Sequence, residues 1–278
     1  MDEYPGRYAM SLRRVNAMKN CIILILIFSF NFIFSENIYS GDISQHDILT
    51  QYSTIDALLC GVYDGEMTIK DLKQHGDFGL GTFNALDGEM LAIDGHYYQI
   101  TSDGVAREPD INSGTPFAAV TFFEPDKKAD LNSGMDFDSF KKNMDEIILT
   151  PNIFYAMKIK GIFKTVKTRS VPKQSKPYRP LKEIVNTQPT FNFYKTRGTI
   201  AGFRCPSYVK NINVPGYHLH FITEDGKAGG HVLEFTVEKA VLEIDETSGF
   251  SLLLPGNKAF YHADLSFDKQ ADLEKVER

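Results

Sequence analysis

Short strand-like runs separated by turns fill most of this chain and restrict its fold more than any other feature. Residues 78–83, 96–101 and 217–222 are typical, because aromatic, β-branched and other apolar residues collect there between turns that contain Gly and Asp. Helical periodicity is confined to short segments such as residues 136–148. Runs of strands with few, segregated helices predict an α+β fold of two β-rich halves with mixed or antiparallel sheet.

Three further short helices are expected from their boundary residues. One spans residues 53–60 and another residues 68–75, and each begins with a hydroxyl residue followed three positions later by aspartate. That spacing is typical of a capping box, in which the two ends of the first turn hydrogen-bond each other. A last helix is predicted over residues 269–277.

The amino terminus has the pattern of an export signal. Arg13, Arg14 and Lys19 precede an apolar run over residues 21–34, after which the chain turns polar. Because the run is shorter than the roughly 20 residues that span a bilayer, residues 1–35 are interpreted as a signal peptide or signal anchor. This predicts an exported protein, secreted or periplasmic, with the cytoplasm as second choice and membrane contact only through an uncleaved signal.

The remaining chain is expected to divide at a loop over residues 172–180 that contains three prolines. The predicted units are an N-terminal α+β half at 36–172 and a C-terminal β-rich half at 173–278. The second half would carry the histidine-rich hairpin described below.

Charge and cysteine content exclude several functional classes. Lys and Arg number 30 against 36 Asp and Glu, a net charge of −6 that becomes −8 without residues 1–35, so the chain lacks the basic surface of a nucleic-acid binder. The three cysteines form no Cys-x-x-Cys pair, which leaves any metal to histidines and carboxylates. Cys60 and Cys205 both follow the signal, and the sequence does not decide whether they form a disulfide.

Three of the seven histidines fall within residues 218–231. His218 and His220 point to the same side of a predicted strand because side chains alternate along strands. A Gly-rich loop follows, so the next strand returns antiparallel and brings His231 beside them. Three neutral imidazoles on a hairpin suit Zn²⁺, Fe²⁺, Mn²⁺ or Ni²⁺, whereas the alternative is three strand histidines satisfied by neighbouring groups.

The histidine spacing is also similar to that of a second kind of metal protein. His218 and His220, followed by Glu224, fit the first metal motif of the cupins, which are antiparallel barrels. The second cupin motif, a Pro-x-Gly followed by a metal-binding His, is absent downstream. Because the first motif fits and the second is absent, a cupin-like protein is kept as the alternative function. It would be a metal-dependent oxidase or a non-catalytic binding module.

Four sequence blocks in order resemble the α-acetolactate decarboxylase family over nearly the whole chain after the signal. The blocks are residues 76–90 with 94–95, residues 168–172 with 176–178, residues 198–203, and residues 216–221 with 229–231. The resemblance implies a zinc-dependent homodimeric carboxy-lyase that converts 2-acetolactate, a small molecule, to acetoin and carbon dioxide.

The resemblance also implies roles for individual residues. His218, His220 and His231 match the family's zinc ligands. Glu89 and Arg169 match its acidic and basic active-site residues, and Glu277 is the best match to a second glutamate, with Glu274 as the alternative.

Overall fold

Two large β-sheets carry the fold, as the α+β prediction requires. The computed structural model describes residues 44–277, so the predicted signal at residues 1–35 lies outside the described residues. Within residues 44–277 no helix is long and apolar enough to cross a membrane.

Strands predominate over helices in the described part of the chain. The strands are β1 Ile48–Tyr52, β2 Met67–Thr68, β3 Phe78–Thr82, β4 Glu89–Ile93, β5 His96–Ile100, β6 Ala106–Arg107, β7 Gly114–Thr115, β8 Ala118–Thr121, β9 Lys127–Leu131, β10 Phe154–Arg169, β11 Thr190–Cys205, β12 Gly216–Thr223, β13 Gly229–Thr247 and β14 Gly249–Leu253. The α-helices are α1 Ile55–Leu59, α2 Ile69–Leu72, α3 Phe137–Ile147, α4 Leu181–Ile184, α5 Lys258–His262 and α6 Gln270–Glu277.

The first sheet has seven strands in the order β14-β1-β8-β3-β4-β5-β6. Its β1 and β14 are parallel, whereas the other neighbours are antiparallel, so the sheet is mixed. The second sheet is antiparallel, in the order β10-β11-β12-β13-β9. Because β10 also pairs with β13, strands β10–β13 close into a ring.

Buried side chains join the two sheets. Phe78 and Leu91 of the first sheet belong to one cluster with Phe154 and Phe203 of the ring, and the Phe78 and Phe203 rings meet edge to face with centroids 5.8 Å apart. A second cluster packs α3, through residues such as Phe140, against the ring strands. A third cluster combines α1, α4 and α6, and the candidate site described below lies beside it.

The predicted division at residue 172 stays a prediction, and both sheets combine strands from the two sides of that residue. Strand β14 joins the first sheet although it follows residue 172 by more than seventy positions, and β9 and β10 precede it but belong to the second sheet. The described residues all fall in one compact unit.

The structure has fewer and longer strands than the sequence pattern predicts. The pattern predicts separate strands at residues 154–163 and 165–171, at 191–196 and 198–204, and at 231–237 and 240–244. In the structure each of these pairs is a single strand, namely β10, β11 and β13. Strand β10 is continuous because it pairs with β11 on one side and with β13 on the other. Shifts in the β10–β13 register near Phe163 accommodate the local irregularity.

The predicted capping boxes have different outcomes. Thr68 and Asp71 form the expected box at α2. At α1 the prediction is wrong, because Ser53 has a positive φ of 66° and cannot cap from that backbone conformation. Thr54 caps α1 instead, through its side chain and the Ala57 N–H. Cys60 and Cys205 are both free thiols.

Candidate active site

The histidine hairpin forms as predicted. His218 and His220 lie on β12 and His231 lies on β13, where the backbone register places it directly opposite His220. Their ring centroids are 5.0 to 5.4 Å apart. The close approach of β13 to β10 beside the cluster needs Gly230, whose φ is 141° and where a side chain would meet the Arg169 carbonyl oxygen at 2.5 Å.

The three imidazoles are buried, with 8, 0 and 4% of His218, His220 and His231 exposed. Nδ1 of His220 lies 2.8 Å from the Met90 carbonyl oxygen. A neutral His220 therefore donates from Nδ1 and turns the lone pair of Nε2 towards its neighbours. Burial, together with the nearby Arg169 charge, lowers the pKa of His218 to about 3 and holds the pKa values of the other two well below the usual range.

These residues fit a metal ion. One ligand atom from each of the three histidines lies within 4.8 Å of the other two. His218 Nδ1 and His220 Nε2 are buried and have no hydrogen-bond partner among residues 44–277, an arrangement that is costly unless a ligand completes it. Neutral imidazoles with converging lone pairs supply the donor set that Zn²⁺ and neighbouring transition metals prefer.

Two glutamates from other parts of the fold reach the cluster. Glu89, the first residue of β4, places Oε2 3.7 Å from His220 Nε2, and its Oε1 accepts the Val171 N–H at 3.3 Å. Glu277, the last residue of α6, places Oε2 3.8 Å from His231 Nε2. Burial raises the pKa of each glutamate to about 7, and the positive charge of Arg169 opposes that rise.

Arg169 ends β10 and pairs with His231 in the β10–β13 register. It is 5% exposed, and burial lowers its pKa while the charges of Glu277 and Glu89 oppose that change. A largely buried guanidinium beside carboxylates remains a cation and provides planar N–H groups for an anionic ligand.

The structure thus brings all six predicted site residues into one place, and their catalytic roles stay predictions. The alternative Glu274 lies on the exposed side of α6, where Gln270 Nε2 donates to it at 3.3 Å. Glu277 shares a helix face with the buried Leu273 and Val276 because residues three and four apart are neighbours on a helix. That spacing was a signal in the sequence favouring Glu277.

A pocket of about 510 Å³, counting the space that opens to solvent, lies over the cluster. One part of its wall is apolar, with side chains from α1, α4 and α6, and the other part is polar. The lining residues are Ile55, Leu58, Gly81, Thr82, Leu86, Glu89, Phe117, Arg169, Val171, Leu181, Gln188, His218, His231, Val276 and Glu277.

Gln188 is a pocket residue that the sequence did not reveal. It follows a single 3-10 turn at Val185–Thr187 and precedes β11. No periodicity or motif marks it, because its place depends on how this loop packs. The small volume and mixed wall suit a small ligand with both methyl and charged groups.

The cupin interpretation assigned a ligand role to Glu224. That residue is exposed in the turn between β12 and β13, and its backbone N–H donates to the Arg197 carbonyl oxygen. Among the described residues the group able to hold a metal consists of the three histidines, without Glu224.

Comparisons with known proteins agree with the resemblance over most of the chain. A family model described as alpha-acetolactate decarboxylase matches residues 49–267. The chain is 52% identical over 239 residues to the alpha-acetolactate decarboxylase of Methanosarcina mazei, covering 85% of this chain and 83% of that protein. It is 43% identical over 228 residues to the Bacillus subtilis protein of the same name, covering 82% and 89%.

Solved structures lead to the same conclusion. The crystal structure of alpha-acetolactate decarboxylase from Bacillus subtilis strain 168 matches with a TM-score of 0.81 at 42% identity, covering 83% of this chain and 99% of that one. A Staphylococcus aureus protein described as similar to alpha-acetolactate decarboxylase matches with a TM-score of 0.78 at 31% identity, covering 82% and 98%. By family model, sequence identity and fold, the chain belongs to the alpha-acetolactate decarboxylase family and is a carboxy-lyase.

Proposed function

We propose that this chain decarboxylates 2-acetolactate to acetoin and carbon dioxide with a zinc ion held by His218, His220 and His231. The observation that carries the proposal is the convergence of three buried imidazoles beside a small pocket. Two of these imidazoles have a ring nitrogen without a hydrogen-bond partner among residues 44–277. Two largely buried glutamates and a buried arginine adjoin them. Family membership supplies the substrate, since the relatives are named for it.

Decarboxylation needs a group that stabilises the electron pair left by the broken bond. Breaking the bond between the carboxylate and its neighbouring carbon releases carbon dioxide and leaves the bonding pair on the remaining fragment as an enediolate. When bound at the histidines, zinc supplies a Lewis acid for the ketone and hydroxyl oxygens and balances this developing charge. No organic electron sink is then required.

Arg169 holds the substrate carboxylate in this proposal. Its guanidinium is a planar fork that matches a carboxylate, and its burial removes competing water. Holding the carboxylate out of the plane of the ketone aligns the breaking bond with the carbonyl π system, which is the geometry that decarboxylation requires.

A glutamate completes the reaction by protonating carbon. A carboxyl group with a pKa of about 7 is partly protonated at neutral pH, so both Glu89 and Glu277 meet the requirement for a general acid. Glu89 is oriented by the Val171 N–H. A donor fixed on one side of the pocket delivers the proton to one face of the enediolate and sets the configuration of acetoin.

The test is acetoin formation by the purified protein incubated with 2-acetolactate, with and without a metal chelator. We expect acetoin well above the spontaneous rate, loss of that activity after chelation, and recovery when Zn²⁺ is added back. Metal content measured by mass spectrometry should follow the activity. Acetoin at the spontaneous rate with a fully loaded site would overturn the proposed function.

We also propose that the chain forms a homodimer and that it is exported through residues 1–35. Sedimentation of the purified protein tests the homodimer. The distribution of the protein among cell fractions tests the export. A monomer at micromolar concentration would contradict the first, and full-length protein confined to the cytoplasm would contradict the second.

A further inference from the structure

Gln188 lines the pocket, and one end of its side-chain amide is buried. Among the described residues that line the pocket, it is the one amide side chain. Its Oε1 is buried and has no hydrogen-bond partner within residues 44–277. A buried amide end without a partner lowers stability, and a ligand that forms a hydrogen bond with this end removes that cost.

The strand pairing explains why Gln188 faces the pocket. Arg169 pairs with Thr190 in the β10–β11 ladder, and one step further the Ser170 N–H donates to the Pro189 carbonyl oxygen at 3.3 Å. Continued by one more step, the same antiparallel register would set Gln188 opposite Val171, and both residues line the pocket. Opposite side chains in a ladder share a face, as do side chains two apart on one strand, so this register assigns Gln188 to the face of Arg169.

Few side chains of the pocket can donate to an anion. Thr82 already donates its hydroxyl to the Gly88 carbonyl oxygen at 2.7 Å. Glu89 and Glu277 only accept when ionised, and the proton that one of them carries in the proposed reaction is delivered to carbon. Apart from the imidazoles of the histidine cluster, the lining side chains with N–H groups are therefore Arg169 and Gln188.

We propose that the Gln188 side-chain amide donates a hydrogen bond to the substrate carboxylate, next to the Arg169 guanidinium, and makes the pocket prefer ligands that carry a carboxylate. A half turn about the last side-chain bond exchanges the amide oxygen and nitrogen, so the buried end can present N–H to the ligand. The inference rests on the proposed function, in which the ketone and hydroxyl oxygens face the histidines and leave the carboxylate for these two donors. Acetoin lacks the carboxylate and does not use this contact.

The test compares two ligands that differ in the carboxylate alone. One is an unreactive analogue of 2-acetolactate in which the ketone is reduced to an alcohol, and the other is butane-2,3-diol, which is the same diol without the carboxylate. Calorimetry on the zinc-loaded enzyme should show that Gln188→Leu, which keeps the side-chain size, weakens binding of the analogue by about 10- to 100-fold, the range for a lost hydrogen bond to a charged group. Binding of butane-2,3-diol should be unchanged, and the loss in kcat/KM for 2-acetolactate should come from a higher KM rather than from a lower kcat.

Asn186→Leu is the matched control, because it removes an exposed amide two residues earlier in the same turn. It should leave both affinities as in the unaltered enzyme. Unchanged affinity of Gln188→Leu for the analogue, or equal weakening for both ligands, would overturn the inference. If the unaltered enzyme binds the analogue but forms no acetoin, the proposed function fails, while the two affinities still decide the role of Gln188.

Discussion

Replacing His220 with alanine is expected to abolish both metal binding and acetoin formation. His220 is the most buried of the three histidines, and its ring is oriented by the Met90 carbonyl oxygen. Two remaining imidazoles cannot complete the three-ligand site of a catalytic zinc. Such a metal lowers the activation free energy by several kcal/mol, and each 1.36 kcal/mol corresponds to a tenfold change in rate. Activity should therefore fall by about 10³-fold or more.

Metal content and acetoin release are the two measurements for His220→Ala. His96→Ala is the control, since His96 is exposed on β5 and lies outside the histidine cluster. Circular dichroism of both variants distinguishes loss of the metal from loss of the fold. A folded His220→Ala protein that retains one zinc per chain and normal turnover would contradict the assignment of this residue as a ligand.

Replacing Arg169 with methionine should lower kcat/KM by about 10²- to 10³-fold, equivalent to about 2.7–4 kcal/mol of lost charge stabilisation in a water-excluded site. The methionine fills much of the same space but provides no N–H groups for the substrate carboxylate. It also leaves Glu89 and Glu277 without the cation that lowers their pKa values, so both carboxyl groups favour the protonated form more strongly.

The measurement is steady-state acetoin formation by Arg169→Met beside Lys164→Met. Lys164 lies on the same strand but is exposed, so its loss should leave kcat/KM unaltered. Zinc content should be normal in both variants, which separates this result from that of His220→Ala. Near-normal kcat/KM in Arg169→Met would show that the carboxylate is held elsewhere in the pocket.

Local patterns predicted how the three histidines come together. Alternation along β12 places His218 and His220 on one side, and a short turn returns β13 so that His231 pairs opposite His220. Both facts depend on residues that are close in the chain, so the period of a strand suffices to derive them. The helical spacing predicted over residues 136–148 is likewise local, and it corresponds to α3 at Phe137–Ile147.

Longer elements were harder to predict because they depend on partners. Hydrogen bonding with β11 and β13 extends β10 through the predicted break between residues 163 and 165. Ser53 failed as a cap because its backbone is held in the left-handed region, where its N–H donates to the Leu253 carbonyl oxygen beyond the end of the β1–β14 pairing. Such constraints come from residues far away in the chain and leave no periodic signal.

The sequence by itself determined the strand-rich fold class, the family and the three-histidine hairpin, because these follow from short-range spacing and from ordered motifs. The resemblance had matched Glu89, Arg169 and Glu277 to active-site residues, but only the tertiary structure shows that Glu89 of the first sheet and Glu277 of the last helix line one pocket with Arg169, beside those histidines. The tertiary structure also decided that Gln188 enters the same pocket. The physical reason is burial: a pKa near 7 for a glutamate and an unsatisfied amide both arise from the exclusion of water, which only the packing of distant segments produces.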